Sequence, residues 1–197
     1  MLKAKIAVLV SGGGTNLQAL IDAQKSGIIK SGNIELVISN KEDAYALTRA
    51  KDNGISSLFI KKDKDFEKNL ISALEENEID FIVLAGFLVI LSEDFVKRYD
   101  KKIINIHPSL IPSFCGDGFY GLKVHEKALE RGVKLTGATT HFVNEITDGG
   151  EIIMQKAVEI LDGDTPDVLQ KRVMEEAEWI ILPLSVEKVS KEIIKNK

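Results

Sequence analysis

The sequence predicts a single-domain α/β protein. It is expected to be a three-layer sandwich with a mostly parallel, twisted sheet of about seven strands and helices on both faces. Three observations predict it. Short apolar runs alternate with segments of helical periodicity from the first residues onward, which implies right-handed βαβ crossovers and a parallel sheet. A glycine cluster, Ser11-Gly-Gly-Gly-Thr-Asn16, joins the first apolar run to the first helical segment, as in the Rossmann-like half of a doubly wound sheet. The last two apolar runs follow one another with only Asp148-Gly149-Gly150 as a turn signal, which reads as a tight antiparallel hairpin at the C-terminal edge.

Each element has its own warrant. Strands are expected at 6–10, 35–39, 57–60, 81–85 and 103–106, as short apolar runs of the kind that lie covered on both faces, the 57–60 run being the weaker. Helices are expected at 16–25, 45–52, 66–76, 93–98 and 122–131. In the 66–76 segment, Phe66, Leu70, Ile71 and Leu74 fall on one helical face. Two longer strands, 135–143 and 151–160, form the hairpin. The last helix has Asp164 or Thr165 as its cap and Pro166 at an early position, where a missing N–H costs nothing. Pro183 is expected to interrupt that helix near its middle.

The chain has 197 residues, enough for one domain spanning 1–197. Apolar residues make up 44% and charged residues 28%, and the net charge is -4. That balance disfavours nucleic acid or a membrane surface as partner. The single cysteine, Cys115, permits no intrachain disulfide and fits a reducing compartment. The apolar run at 6–10 is too short for a signal-peptide core, and no stretch approaches the roughly 20 apolar residues of a spanning helix. A soluble, cytoplasmic protein is expected.

Two segments carry chemistry. At a helix start the backbone N–H groups are unpaired and the helix dipole adds partial positive charge. Glycines let a phosphate approach, and Thr15 and Asn16 add side-chain donors, so the 11–16 loop suits a phosphate group. A tight turn needing positive φ is the plain structural alternative. A dinucleotide is disfavoured, because Leu17 follows where a third glycine is wanted and Asn40 stands where a ribose-binding acid is wanted. The second segment is Ile104-Asn-Ile-His-Pro-Ser109. In a strand Asn105 and His107 point to the same face, at a strand end where ligands bind in open parallel sheets. The pair can donate hydrogen bonds to an oxygen gaining charge, and histidine can shuttle a proton. Asp148 is an ordinary turn residue unless the fold brings it to His107. The three histidines, His107, His125 and His141, are scattered along the chain with no metal-ligand spacing, so no metal is expected.

With these residues in hand, the sequence resembles the glycinamide ribonucleotide formyltransferases. The matching segments are Ser11-Gly-Gly-Gly-Thr-Asn-Leu17, Leu84-Ala-Gly-Phe87, Asn105-Ile-His-Pro-Ser-Leu-Ile-Pro112, Thr136-Gly137 with His141-Phe-Val143, and Asp148-Gly-Gly150. They occur in the family's order and cover nearly the whole chain. The resemblance implies formyl transfer from 10-formyltetrahydrofolate, as co-substrate, to the amine of glycinamide ribonucleotide in purine biosynthesis. It implies a phosphate-binding half at 1–86 and a folate-binding and catalytic half at 87–197. Asn105, His107 and Asp148 would be catalytic, and Gly13, Gly14, Thr15 and Asn16 would hold the substrate phosphate. Glu178 would contact the acceptor's amine side. Leu88, Val89, Ile90 and Leu91, with Asn105, would line the folate pocket. The partners implied are these small molecules, with the chain a monomer or homodimer.

Two departures stand out. Val89 replaces a basic or polar residue common in relatives, and the C-terminal helix carries one extra residue between Arg172 and Glu178. Three rivals remain in view. Methionyl-tRNA formyltransferase shares the catalytic segment but is expected to have a further C-terminal domain, whereas this sequence stops at Lys197. Formyltetrahydrofolate hydrolase is expected to have an extra N-terminal domain. A nucleotide-binding regulatory module would use the glycine loop without needing Asn105, His107 and Asp148 together.

Overall fold

The structure, a computed structural model, describes residues 2–197. Its first half alternates β1 (Ala4–Val10), α1 (Thr15–Ser26), β2 (Gly32–Ser39), α2 (Tyr45–Asp52), β3 (Ser56–Phe59), α3 (Phe66–Glu76) and β4 (Phe81–Leu84). Then come α4 (Glu93–Arg98), β5 (Ile103–His107), α5 (Leu122–Arg131), β6 (Leu135–Phe142), β7 (Ile152–Glu159), α6 (Pro166–Val173) and α7 (Trp179–Lys195). The strands form one sheet in the order β3-β2-β1-β4-β5-β6-β7. Neighbours are parallel from β3 through β5, and the β5–β6 and β6–β7 pairs are antiparallel. The fold class read from the sequence is therefore the one observed.

The three layers follow from strand alternation. In β1, Ile6, Val8 and Val10 pack with α1, α2, α6 and α7, while Ala7 and Leu9 pack with α3 and α4. Sliding a strand by one residue would exchange these two sets, so the pattern fixes the register. In β5, Ile104 and Ile106 join the first cluster and Ile103 the second. Asn105 and His107 therefore share the face of Ile103. All four residues of β3 are exposed, as suits an edge strand.

Chain order reverses at β1, whose neighbours β2 and β4 leave in opposite directions. This switch point opens the crevice in which doubly wound sheets bind ligands.

Two local expectations are corrected, and one choice between two caps is decided. The β6–β7 connection is not a tight hairpin. It spans residues 143–151, and the register shifts between Thr140 and His141 as the strands part. Pro183 does not end the last helix, which continues to Lys195. The departure from α geometry falls earlier, in a π-helical turn at Met174–Glu178. The proline ring opposes a regular bond to the carbonyl four residues back, Trp179, and the wider π turn ends just before that residue. Such a turn holds one residue more than an α turn, and it falls where the sequence reading expects an extra residue between Arg172 and Glu178. At the start of α6, Thr165 is the cap, accepting from the Val168 N–H. Asp164 instead accepts from Arg172 Nη2 at 2.6 Å.

Candidate active site

The glycine loop leaves β1 with Ser11 buried beneath it. The Ser11 hydroxyl donates to Asn40 Oδ1 at 2.6 Å and accepts from the Leu88 N–H at 2.9 Å. The Ser11 N–H donates to the Gly86 carbonyl at 3.1 Å. One small side chain thus ties together the ends of β1, β2 and β4. Gly14 is the first residue of the loop that only glycine fits. Its φ is +73°, and a Cβ would stand 2.7 Å from the Ala46 Cβ. Gly12 and Gly13 face open space. Thr15 and Asn16 open α1, whose first N–H groups have no helical partner.

Asn16 Nδ2 donates to Glu178 Oε2 at 2.6 Å. The Asn16 Oδ1 atom is buried and has no partner. Glu178, only 6% exposed, is pushed up to about 7 by burial, against the pull of the Asn16 amide. The π turn delivers this carboxyl to the glycine-loop side. Its hydrogen bond ties Glu178 to Asn16 at the start of α1, and none joins it to Asn105, His107 or Asp148.

The second group gathers at the end of β5. His107 Nδ1 lies 3.5 Å from Asp148 Oδ2, with both side chains nearly buried. Asp148 reaches it because the 143–151 loop folds back. The Gly149 N–H donates to the Ile146 carbonyl at 2.9 Å, and Asp148 adopts a left-handed φ of 54°. Gly150 must be glycine, since a Cβ would fall 1.7 Å from the Phe142 carbonyl oxygen. His107 Nε2 donates to the Phe114 carbonyl at 2.9 Å. The Gly116 N–H donates to Asp148 Oδ2 at 2.9 Å. Phe114 is also left-handed, at φ 50°. Two non-glycine residues in that region, each costing about 1 kcal/mol or more, thus meet around one histidine. Strain of this kind concentrates at functional sites.

His141 completes the group, a role not read from the sequence. It pairs with Asn105 across the β5–β6 ladder. His141 Nδ1 lies 2.8 Å from the Phe142 carbonyl, which calls for a proton on Nδ1. Nε2 then accepts from Asn105 Nδ2 at 3.1 Å. Nε2 also lies 3.5 Å from Asp148 Oδ1, too far for a good hydrogen bond.

The scattered histidines therefore converge. His107 and His141 flank Asp148, and His125, on α5, is fully buried with neither ring nitrogen hydrogen-bonded. Burial, helped by repulsion from His107, drives His125 down to about 4, so it is neutral.

The electrostatics divide between two groups. Burial pushes the Asp148 carboxyl up, but His141, His107 and the Gly116 N–H together hold it below the usual carboxylate range. Burial lowers His107, and this outweighs the pull of Asp148 and Phe114. Asp148 thus favours the charged His107, but desolvation outweighs it in the free protein.

The expected folate-pocket side chains split. Leu88 and Ile90 are exposed, at 58% and 76%, while Val89 is buried in the core and Leu91 packs against it. Alternation along this extended stretch sends 89 and 91 inward, so those two can offer only backbone. That burial suits the apolar side chain of Val89. Cys115 is held by its Sγ–Pro112 carbonyl contact of 3.3 Å, and burial pushes its thiol up, so it is a poor nucleophile. A surface cavity of about 360 Å³ beside β3 and α3, lined by Leu58, Phe59 and Glu76 among others, contains none of these groups.

Fold and site define a doubly wound α/β protein with a donor-rich loop and an asparagine–histidine–aspartate group at its switch-point edge. The chain belongs to the formyl transferase family, which it matches over residues 4–185. It is 44% identical over 189 residues to phosphoribosylglycinamide formyltransferase of Haemophilus influenzae, covering 92% of this chain and 85% of that one. It is 39% identical over 180 residues to the chloroplastic phosphoribosylglycinamide formyltransferase of Arabidopsis thaliana, covering 88% of this chain. The chain spans 61% of that plant relative's length. The crystal structure of phosphoribosylglycinamide formyltransferase from Anaplasma phagocytophilum superposes with a TM-score of 0.87 at 40% identity, covering 96% of this chain and 88% of that one.

Proposed function

We propose that the protein transfers the formyl group of 10-formyltetrahydrofolate to the amine of glycinamide ribonucleotide. The observation that carries this reading is the Asp148 carboxylate set against the His107 ring, beside Asn105 on the same strand face. The named relatives support the choice of substrates.

In the proposed mechanism the acceptor amine attacks the formyl carbon, forming a C–N bond and a tetrahedral oxyanion. The Asn105 amide and the His107 Nε2–H donate to that oxygen. His107 must first release the Phe114 carbonyl, which now occupies Nε2. Burial keeps His107 neutral at rest, but a developing anion on one side and Asp148 on the other favour the imidazolium. Collapse breaks the bond from the formyl carbon to the folate nitrogen. The proton lost by the amine reaches that nitrogen, with Asp148 assisting through water. Removing one oxyanion donor costs about 3 kcal/mol in such reactions.

The remaining roles belong to the same proposal. Gly13, Gly14, Thr15 and Asn16 hold the phosphate, within a phosphate-binding half at 1–86. Glu178 faces the acceptor beside Asn16. Leu88 and Ile90 offer side chains, and Val89 and Leu91 backbone, to the folate in the 87–197 half. The single cysteine supports a reducing, cytoplasmic setting.

Incubation with 10-formyltetrahydrofolate, with and without glycinamide ribonucleotide, tests the reading. Deformylated folate should appear only when the nucleotide is present, together with formylated nucleotide. Equal release without it would make water the acceptor and overturn the proposal.

A further inference from the structure

The glycine loop has a polarity that its own residues do not create. The Gly12 carbonyl accepts from the Ala46 N–H at 3.1 Å, and the Gly14 carbonyl from the Gln18 N–H at 2.9 Å. Between them, the Gly13 carbonyl accepts from Arg49 Nε at 2.8 Å. All three acceptors are therefore taken up by the protein. Among the described residues no backbone carbonyl outside the helix accepts from the N–H groups of Gly12, Gly13 or Gly14. The loop presents donors and hides acceptors.

Geometry makes the Gly13 carbonyl the decisive one. In a trans peptide the C=O and the following N–H point in opposite directions, so fixing the Gly13 oxygen fixes the Gly14 N–H the other way. The Gly12 and Gly14 oxygens are held by backbone N–H groups, whereas Gly13 depends on one side chain. Gly13 has nothing within 4 Å of its Cβ position, so no side-chain packing at that residue fixes the peptide. A rotated peptide would turn a carbonyl dipole toward a bound anion.

Arg49 is itself held in place. Its Nη1 donates to Gln18 Oε1 at 3.1 Å, and its guanidinium carbon stands 4.9 Å over the Tyr45 ring. No carboxylate forms a salt bridge with it among the described residues, so its charge is not cancelled nearby.

We infer that Arg49 is a positioning residue for the nucleotide phosphate, holding the Gly13 carbonyl outward so that the Gly14 N–H faces the anion. This inference rests on the proposed phosphate role of the loop.

Steady-state kinetics with varied glycinamide ribonucleotide test it, using R49M, R49Q and R49K beside T15A. Loss of one charge-assisted hydrogen bond predicts a KM for the nucleotide raised about tenfold in R49M, with kcat within about twofold. R49Q should behave as R49M, so a variant that fails to fold leaves the test standing. R49K, which keeps charge and a donor, should return KM to within about threefold of the parent. The R49M defect should persist in about 0.5 M KCl, because a fixed peptide orientation is not screened as a bare charge is. A defect that vanishes in salt would overturn the positioning role. So would an unchanged KM in R49M and R49Q while T15A raises it. If T15A and both arginine variants leave KM unchanged, the phosphate reading itself fails and the inference with it.

Discussion

His107 Nδ1 and Asp148 Oδ2 stand 3.5 Å apart with both side chains nearly buried, and burial opposes the charge on His107 that this contact favours. Asp148→Asn keeps the size and removes the charge. We expect kcat to fall about 100-fold, comparable with losing one oxyanion donor. The sign of the pH effect follows from linkage. Asp148 raises the His107 pKa, so its neutralisation lowers that pKa further. The fall in kcat with rising pH should then begin at lower pH. A kcat profile over about pH 5 to 9 and a nuclear magnetic resonance titration of the His107 ring measure both effects. Near-parental turnover would remove Asp148 from the mechanism.

His141 orients Asn105. With its proton on Nδ1, its Nε2 accepts from the Asn105 amide at 3.1 Å and fixes which way that amide faces. His141→Ala should lower kcat by about 10- to 100-fold while KM for each substrate changes little, as for a lost supporting partner. Asn105→Ala should lower kcat at least as far. The double variant should be no worse than Asn105→Ala alone, because both changes remove one device. Fully additive losses would refute the coupling.

Glu178 predicts a stability effect with a definite direction. Its carboxyl titrates at about 7 when folded, against 4.5 for the free side chain. The folded state therefore holds its proton more tightly. The associated stability is complete below the unfolded pKa and is lost as pH rises through about 7. Glu178→Gln keeps an acceptor for Asn16 and does not titrate. Relative to the parent, it should gain about 3 kcal/mol between pH 4 and pH 8. Urea unfolding at those two pH values checks this. A difference that does not change with pH would refute the burial of an ionisable carboxyl.

The stretch after β4 separates binding from packing. Ile90→Ser, at an exposed position, should raise KM for 10-formyltetrahydrofolate with no loss of thermal stability. Val89→Ala, at a buried one, should lower unfolding stability by about 1 to 2 kcal/mol with little change in KM. Kinetics and thermal unfolding of the two variants should show opposite patterns. The reverse assignment would place the folate contacts on Val89 instead.

Much of the fold was legible because its signals are local. The apolar runs of β1, β2 and β4, the glycines after β1 and Pro166 at the start of α6 each declare themselves within a few residues. Asn105 and His107 were legible because strand alternation alone puts them on one face. His141, Arg49 and Ser11 were not. His141 matters through the antiparallel register that sets it opposite Asn105. Arg49 matters because α2 packs behind the glycine loop. Ser11 matters because three strand ends meet over it. The π turn was legible only as one surplus residue before Glu178.

The amino-acid sequence by itself determined the layer order, the strand alternation that aims Asn105 and His107 together, and the unpaired N–H groups where the glycines open α1. These depend on periodicity and backbone chemistry, which act over a few residues. Only the tertiary structure decided that Asp148 reaches His107, that burial lowers the His107 pKa against the pull of that carboxylate, and that Glu178 meets Asn16. Those outcomes depend on which distant groups the sheet brings within a few ångströms and how much water it excludes from them, and neither quantity is written in any one segment of the chain.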